Sequence, residues 1–187
     1  MKHLVANQDE RVARWVAAHM PSFEFGSTPY TAIGLTDGSG TLICGCVYQN
    51  FTQVDIHMHV AALPGKRWLN RVFLGEGFRY PFEQLGCRRV TGLVPAKNLA
   101  AQRFDEHLGF VYEGRVRQVL PNGDDLLIYG MLREECRFLK VGLNYGRKQY
   151  STGDGWRRET SGLQSAGGNG QRNTRGELSG DGVNSGH

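Results

Sequence analysis

The amino-acid sequence predicts a mixed α/β (α+β) domain with a predominantly antiparallel sheet. Three segments have apolar residues at helical spacing, and several short β-branched or alternating runs lie between Gly- and Pro-rich turns. The composition, 40% apolar and 21% charged, is that of an ordinary globular domain. The predicted element order is helix, three strands, helix, strand, helix and two strands.

The first helix is predicted over residues 8–20, because apolar residues recur there every three or four positions and Pro21 follows. Two strands come next, at residues 31–35 and 41–48, on either side of a Gly-containing turn. The third strand, residues 53–62, alternates polar and apolar residues. One face of that strand therefore presents three titratable side chains: Asp55, His57 and His59.

The second half of the domain completes the pattern. Its predicted elements are a helix at 67–85 kinked at Pro81, a strand at 89–94, a helix from Asn98 to Leu108, and a hairpin of 110–120 and 126–132. Asn98 is a typical N-cap residue, and Gly86 and Gly109 are typical residues at which a helix ends.

The composition changes near Lys140. Residues 141–187 hold nearly half of the 26 glycines, together with Ser, Asn and Arg, and only scattered apolar residues. Such a segment buries too little surface to offset the entropy of ordering it. We therefore expect one domain at residues 1–140 and a Gly/Ser/Arg-rich, disordered tail at 141–187.

Charge and composition exclude some classes of protein. No apolar run is long enough to span a membrane, and charged residues stand near the N-terminus where a signal peptide needs its apolar stretch, so secretion is not expected. Four cysteines do not form a disulfide framework, so we expect a cytoplasmic protein with no membrane partner. A net charge of +4 does not require a nucleic-acid partner, although the Arg-containing tail keeps that alternative open. The oligomeric state is not indicated.

Residues 88–136 resemble the C-terminal half of a GNAT-type N-acetyltransferase. The residues that match the family pattern are Asn98, Ala101, Arg103, Leu108-Gly109-Phe110, Glu113-Gly114, Arg117, Asp124 or Asp125, and Tyr129. The resemblance extends over about residues 30–136 and is nearest to the branch that includes the ribosomal-protein alanine acetyltransferases. The tail and the loose phosphate loop also resemble GNAT-like proteins of tailed-phage genomes.

The resemblance implies a GNAT fold, in which helices flank a mostly antiparallel sheet with two splayed central strands. The strands at 53–62 and 89–94 would then hold the pantetheine arm of acetyl-CoA, and backbone amides around Met58 and Val60 would polarise the thioester carbonyl. The helix that begins near residues 65–68 would hold the pyrophosphate at its N-terminus. The resemblance also implies that Asn98 lies on the cofactor side.

The phosphate loop departs from the family pattern, which has glycines where this chain has Lys66 and Trp68. We expect the positive side chains of Lys66, Arg67 and Arg71 to replace close backbone contact with the phosphates. Trp68 belongs to the same predicted cofactor-binding loop, at the second glycine position. A second departure is Asp105, which stands where many family members have a tyrosine that protonates the departing thiolate. An ordinary aspartate is ionised at neutral pH, so we expect Asp105 to be a plain residue of the helix surface.

Acyl transfer to an amine requires the amine to be uncharged, so a base is expected beside the cleft. Histidine titrates near neutral pH, which makes His57 and His59 the catalytic candidates, with Asp55 beside them on the strand. The alternative is a row of polar residues on the solvated face of a half-buried strand.

A metal site is a second alternative for this strand. If the chain turned near residues 51–52, Cys46 would lie opposite His57 and Cys44 opposite His59, giving four zinc-type ligands on one face. Buried cysteines that act as small apolar residues are commoner, so no metal is expected.

The sequence thus predicts an acetyl-CoA-dependent N-acetyltransferase. It would transfer an acetyl group directly to a primary amine of an unidentified acceptor, either a small molecule or a protein. Two alternatives stay open: a catalytically inactive GNAT-fold binding module, suggested by the unusual phosphate loop, and a GNAT-fold protein that acts on or binds nucleic acid.

Overall fold

The computed structural model describes residues 1–20 and 28–139, which fold around one seven-stranded sheet. The strands are β1 His3–Val5, β2 Tyr30–Thr36, β3 Leu42–Gln49, β4 His57–Ala62, β5 Arg89–Pro95, β6 Val111–Val116 and β7 Leu126–Leu132. Their order across the sheet is β1-β2-β3-β4-β5-β7-β6. All neighbouring strands are antiparallel except β4 and β5, which are parallel. The predicted fold class is confirmed.

Three α-helices cover the sheet: α1 Asp9–His19, α2 Arg71–Arg79 and α3 Leu99–Leu108. On one face, α1 packs its apolar side, including Val12 and Val16, onto β2 and β3 in a small core. The approach is close because the two strands have glycines under the helix. A Cβ atom on Gly45 would lie 2.6 Å from Val16 Cγ2, so this packing depends on the absence of a side chain.

The opposite face of the sheet packs against α2 and α3 in the larger core, which is rich in aromatic residues. Two buried tyrosines connect its layers. Tyr48 on β3 donates a hydrogen bond of 2.7 Å to the Gly77 carbonyl of α2, and the Tyr80 hydroxyl donates to Thr31 Oγ1 of β2 at 3.0 Å. These buried donors are satisfied, which fixes the orientation of α2 on the sheet.

Several predicted boundaries are correct because the signal is local. The Asn98 side chain accepts a hydrogen bond from the Ala101 N–H and begins α3. Gly109 follows the same helix in the left-handed conformation, with φ of 105°. Gly86, at the end of the preceding predicted helix, also has a positive φ, of 73°.

Other boundaries differ from the prediction. The second helix begins at Arg71 rather than at residue 67, because the Asn70 side chain caps it by accepting a hydrogen bond from the Phe73 N–H. Pro81 does not merely kink the helix: α2 ends at Arg79, and a π-helical turn, Tyr80–Gln84, continues the chain.

The strands differ in two places. The N-terminal strand β1 was not expected from its three residues, and it forms by pairing with β2 at the sheet edge. The strand predicted from residue 53 begins only at His57, because residues 50–56 form a connection in which Asn50 and Gln53 have positive φ angles.

The predicted tail at residues 141–187 lies outside the described residues. Among the residues that the structure does describe, none of the helices has the length and apolar character needed to cross a membrane. The longest of the three, α1, has 11 residues.

Candidate active site

A gap opens in the middle of the sheet between the two parallel strands. β4 and β5 are in register at one residue pair, His57 and Thr91, whereas β3 and β4 are paired along the whole of β4. Beyond His57 the strands diverge, and a cavity of about 220 Å³ lies between them. The predicted splaying of the central strands is therefore present in the structure.

The edge of β4 that faces this gap can be deduced from its pairing with β3. The Leu63 N–H donates to the Ile43 carbonyl, so the odd-numbered residues of β4 direct their backbone groups toward β3. The even-numbered residues, Met58, Val60 and Ala62, therefore direct theirs toward β5. The Thr91 N–H donates to the Ile56 carbonyl, which agrees with this alternation.

The residues of β5 whose backbone groups face the gap can be deduced in the same way. The Ala96 N–H donates to the Asp125 carbonyl, so even-numbered residues of β5 point toward β7. Leu93 and Pro95 then face the gap with their backbone groups. All four residues at the diverging ends, namely Val60, Ala62, Leu93 and Pro95, line the cavity. Two strand edges thus offer backbone donors and acceptors to an extended molecule between them.

Four of the ten residues predicted for the site line the cavity: Met58, His59, Val60 and Asn98. His57 lies one pleat along β4 from His59, with the two ring centroids 6.3 Å apart. The Asn50 side-chain nitrogen lies 3.1 Å from His57 Nδ1. This amide offers an N–H or a carbonyl according to how it is turned, and it anchors the ring through Nδ1.

Both imidazoles are held in the uncharged form at neutral pH. Burial lowers the pKa of His59 to about 3, and the neighbouring His57 adds to this effect. Burial also lowers the pKa of His57, where the negative charge of Asp55 opposes the shift and the positive charge of Arg89 adds to it. A neutral ring can accept a proton, and a less depressed pKa makes a ring the better acceptor.

Asp55 precedes β4 and is part of a charged cluster on the same face of the sheet. Its Oδ2 accepts a hydrogen bond of 2.7 Å from the Thr91 hydroxyl and lies 3.6 Å from Arg89 Nε. Arg89 in turn donates to Glu113 on β6 at 2.7 Å. The cluster joins the start of β4 to β5 and β6 at the point where the two parallel strands begin to separate.

The basic residues predicted to hold phosphates lie before and at the start of α2. Lys66 and Arg67 are exposed in the loop after β4, and Arg71 is the first residue of the helix. Within the described part of the chain, none of the three forms an ion pair with a carboxylate. Trp68 packs edge-on against Phe73, with ring centroids 6.3 Å apart, and also against the ring of Phe104. Its indole therefore joins α2 to α3.

The metal alternative is wrong, because the register differs from the one it requires. Cys46 lies opposite Val60, and Cys44 lies opposite Ala62. His59 and His57 lie opposite Val47 and Gln49, which places the imidazoles on the α1 face and the thiols on the other. In residues 1–20 and 28–139 there is no group of three or more His, Cys, Asp or Glu side chains that could hold a metal ion.

Two titratable residues of the cavity, Asp105 and His19, were not predicted as site residues. Asp105 was expected on the helix surface, and this is wrong: the side chain lines the cavity, and its Oδ2 would lie 3.1 Å from a Cβ atom on Gly92 of β5. His19, at the end of α1, also lines the cavity and stacks on Trp15 with ring centroids 4.1 Å apart. The family resemblance marks the position of Asp105, but the fold is needed to bring α1, α3 and β5 together, and spacing alone places neither side chain at the cavity.

Comparisons with known proteins agree with this geometry. No family model and no curated protein matches the sequence. Among solved structures, the spermidine N-acetyltransferase SpeG from Vibrio cholerae in complex with CoA and spermine is similar, with a TM-score of 0.55 and 15% identity over 72% of this chain and 96% of its own. A SpeG mutant from the same organism has a TM-score of 0.58 and 15% identity over 74% and 96% of the two chains.

A structure described as a probable acetyltransferase is also similar, with a TM-score of 0.56 and 18% identity over 72% of this chain and 94% of its own. None of these names supports the narrower resemblance to ribosomal-protein alanine acetyltransferases or to phage proteins. At such low identity the similarity establishes the architecture alone. The chain has the fold of the GNAT acetyltransferases, with their splayed parallel strands around a central cavity.

Proposed function

We propose that this protein is an acetyl-CoA-dependent N-acetyltransferase that acts on a primary amine. The observation that supports this function best is the gap between β4 and β5, where two backbone edges without strand partners face one cavity. A narrow, extended chain that contains amides can add to such an edge as a further strand would. The pantetheine arm of CoA has this character, so the residues present fit the cofactor.

The β4 edge would hold the arm and the reacting carbonyl. Met58 lies next to the one residue pair that joins β4 to β5, and Val60 is the next residue whose N–H faces the gap. Acetyl-CoA supplies an acetyl group activated as a thioester. A backbone N–H fixed in a strand stabilises the negative charge that develops on a carbonyl oxygen under attack, and we assign that role to Val60.

The phosphates would be held by the positive charges of Lys66, Arg67 and Arg71, none of which forms an ion pair within 4 Å of a carboxylate among the described residues. These side chains lie where the loop after β4 meets the start of α2, so they add to the positive end of the helix. Asn98 lines the opposite wall of the cavity, at the start of α3. Its side-chain oxygen is occupied as the α3 cap, which leaves its NH₂ group to contact the cofactor.

The proposed transfer is direct, without an acyl-enzyme. The four cysteines are buried in the larger core, and the cavity lining contains none of them. We assign removal of the amine proton to His57, whose pKa is less depressed than that of the more deeply buried His59. His59 would orient the amine, and Asp55, held by Thr91 and Arg89, would position the start of β4.

The acceptor is proposed at the level of a primary amine. The similar SpeG structure contains CoA and spermine, which supports a small-molecule amine as the first probe. The resemblance to the alanine acetyltransferase branch makes a peptide N-terminus the second probe. The four free, buried cysteines support a reducing compartment such as the cytoplasm.

The first experiment is calorimetric titration of acetyl-CoA and of CoA into the full chain. We expect micromolar binding that weakens about tenfold in Arg67→Ala or Arg71→Ala, because each removes one charge from the phosphate site. Arg14→Ala, an exposed arginine on α1, is the matched control and should bind as the parent chain does. Absence of binding at millimolar ligand would contradict the proposed function.

The second experiment tests transfer. Spermine, lysine and a peptide with N-terminal alanine are each incubated with acetyl-CoA and the chain, and acetylated product is detected by mass spectrometry. Binding of acetyl-CoA without transfer to any amine would indicate an inactive binding module. Retention of the chain on RNA or DNA, weakened by salt, would favour the nucleic-acid alternative.

A further inference from the structure

Half of one face of the sheet has no helix packed on it within the described part of the chain. α1, the described helix on this face, packs on β2, β3 and β4, whereas α2 and α3 lie on the opposite face. The strands left bare are β5, β7 and β6. The side chains that they present here follow from the register, because directly opposite residues of neighbouring strands point to the same face.

The assignment of side chains to this face starts from His57, which lies opposite Thr91 of β5. Thr91 lies opposite Gly130 of β7, so these residues share a face with His57 and His59. The next two rows across the three strands, beginning at Leu93, are almost entirely apolar. We call this surface the apolar trough, and its residues are Leu93, Pro95, Gly114, Val116, Leu126 and Ile128.

The apolar trough is open. A Cβ atom on Gly114 would have no heavy atom within 4 Å. Val116 is 40% exposed, and Leu93, Leu126 and Ile128 are half-buried. Contiguous exposed apolar surface marks a binding site more often than scattered apolar residues do.

The apolar trough continues the cavity between β4 and β5. Leu93 and Pro95 belong to both, because they also line the cavity. An amine that reaches His57 lies at the level of Thr91, and Leu93 is two residues, or about 7 Å, further along the strand. A substituent of several carbons on that amine therefore reaches the apolar trough.

The surroundings of the apolar trough favour an uncharged, apolar occupant. The backbone of its central strand β7 is paired with β5 on one side and with β6 on the other. The amides of a polypeptide would therefore lose water there without gaining a partner. At the outer end, Arg117 lies beside Val116 and forms no ion pair within 4 Å of a carboxylate of the described residues. This positive charge disfavours a second ammonium group.

We propose that the apolar trough binds an alkyl or aryl group of the acceptor, so the acceptor is a small primary amine with an apolar substituent. This inference rests on the proposed function and names the class of its acceptor. The charged cluster of Asp55, Arg89 and Glu113 lies on the other side of the level of Thr91. A cationic substituent would extend in that direction, so the two directions predict opposite preferences between an apolar and a cationic amine.

The test compares octylamine with the terminal diamine of the same chain length, which differs only in the ammonium group at its far end. Each is incubated with acetyl-CoA and the full chain, and initial rates give kcat/KM. We expect octylamine to be at least about tenfold better, because an ammonium group on an apolar surface loses its hydration. From butylamine to octylamine kcat/KM should rise about twofold per methylene, because contact on one side gives about half of the free energy of full burial.

Matched variants locate the effect. Ile128→Glu places a carboxylate in the apolar trough, and we expect the ratio of the two kcat/KM values, octylamine over diamine, to fall at least about tenfold. Leu132→Glu is the control, because Leu132 is exposed on the same face of β7 but lies opposite Arg89, outside the apolar trough. Its ratio should stay within about twofold of the parent value. Gly114→Glu tests the same row from β6, where open space accommodates the side chain even if Ile128→Glu does not fold. Calorimetric binding of acetyl-CoA shows that each variant is folded.

The outcomes separate the two proposals. If the parent chain acetylates the diamine or spermine as well as octylamine, or if the folded trough variants keep the parent ratio, the apolar acceptor class is overturned and the proposed function stands. A peptide with N-terminal alanine that is acetylated more than about tenfold better than octylamine would also overturn it, in favour of a polypeptide acceptor. If the parent chain neither binds acetyl-CoA nor acetylates any probe, the proposed function fails, and this inference fails with it.

Discussion

The two edges of β4 have opposite roles. Toward β3, every residue of the strand has a partner, from Gln49 opposite His57 to Cys44 opposite Ala62. Toward β5, the register consists of one pair, and the backbone groups beyond it face a cavity. The backbone of one strand thus stabilises the fold through one edge and is available to a ligand through the other. Alternate residues of β4 should therefore respond differently to the same substitution.

The largest effect should come from proline at neighbouring positions of β4. Ala61→Pro removes an N–H that points toward β3, so we expect a loss of about 3 kcal/mol or more in the free energy of unfolding, or failure to fold. Val60→Pro removes an N–H that faces the gap, where proline is tolerated as it is on a sheet edge. Urea unfolding followed by circular dichroism measures both.

The two proline variants should also differ in how they bind acetyl-CoA. Val60→Pro should fold cooperatively yet bind acetyl-CoA at least about tenfold more weakly in calorimetry, since one fixed donor to the cofactor is lost. Equal destabilisation by the two prolines would contradict the assignment of the edges. Parent-like binding by a folded Val60→Pro would contradict the role of that edge.

A smaller effect is expected from Asp105 and depends on pH. The folded-state pKa is raised from 3.8 to about 7, so the folded chain is penalised when the carboxyl group ionises. Asp105→Asn removes that penalty and should raise the free energy of unfolding at pH 8 by roughly 2 kcal/mol, about half of the full linkage because the cavity is partly open to water. The gain should shrink as the pH falls from 7 and be absent below pH 4. Urea unfolding at several pH values measures this gain in stability. A gain that does not change with pH would show that ionisation of Asp105 is not its cause.

A last pair of variants substitutes one glycine under α1 and one glycine at the cavity. Gly45 lies on β3 under α1, and Gly45→Ala would place a Cβ atom 2.6 Å from Val16 Cγ2. We expect this overpacking to lower the free energy of unfolding by about 1–3 kcal/mol. Gly92→Ala would place one 3.1 Å from Asp105 Oδ2, where the carboxyl group can move into the cavity, so the loss should be below about 1 kcal/mol. Thermal unfolding of both variants checks the order, and a larger loss at Gly92 would contradict it.

The elements that the sequence predicts well are those with local signals. α3 follows from Asn98 and Gly109, because a cap and a left-handed glycine act within one turn of the helix. β1 was missed because a three-residue strand exists only through its partner. The start of α2 was placed too early because the Asn70 cap was not recognised in the sequence.

Only part of the site could be predicted from the sequence. His59 could be found because alternation along one strand places it without knowledge of the rest of the fold, and Met58 and Val60 were found through the resemblance to the GNAT acetyltransferases. The positions of Asp105 and His19 depend on helices that meet β5 and β4 from elsewhere in the chain. The register of Cys44 and Cys46 depends on the length of the connection at 50–56, which periodicity does not reveal.

The burial of the four cysteines has a practical consequence. Burial raises the pKa of Cys46 and of Cys87 to about 12 and also raises the pKa of Cys44 and Cys136, so the reactive thiolate is scarce in the native chain. A chromogenic disulfide reagent would therefore measure the CoA that the reaction releases, with little background from the protein's own thiols. With the chain alone, the rate of reaction with the same reagent measures how often the core opens. Each cysteine reacts only when the structure around it unfolds and exposes the thiol.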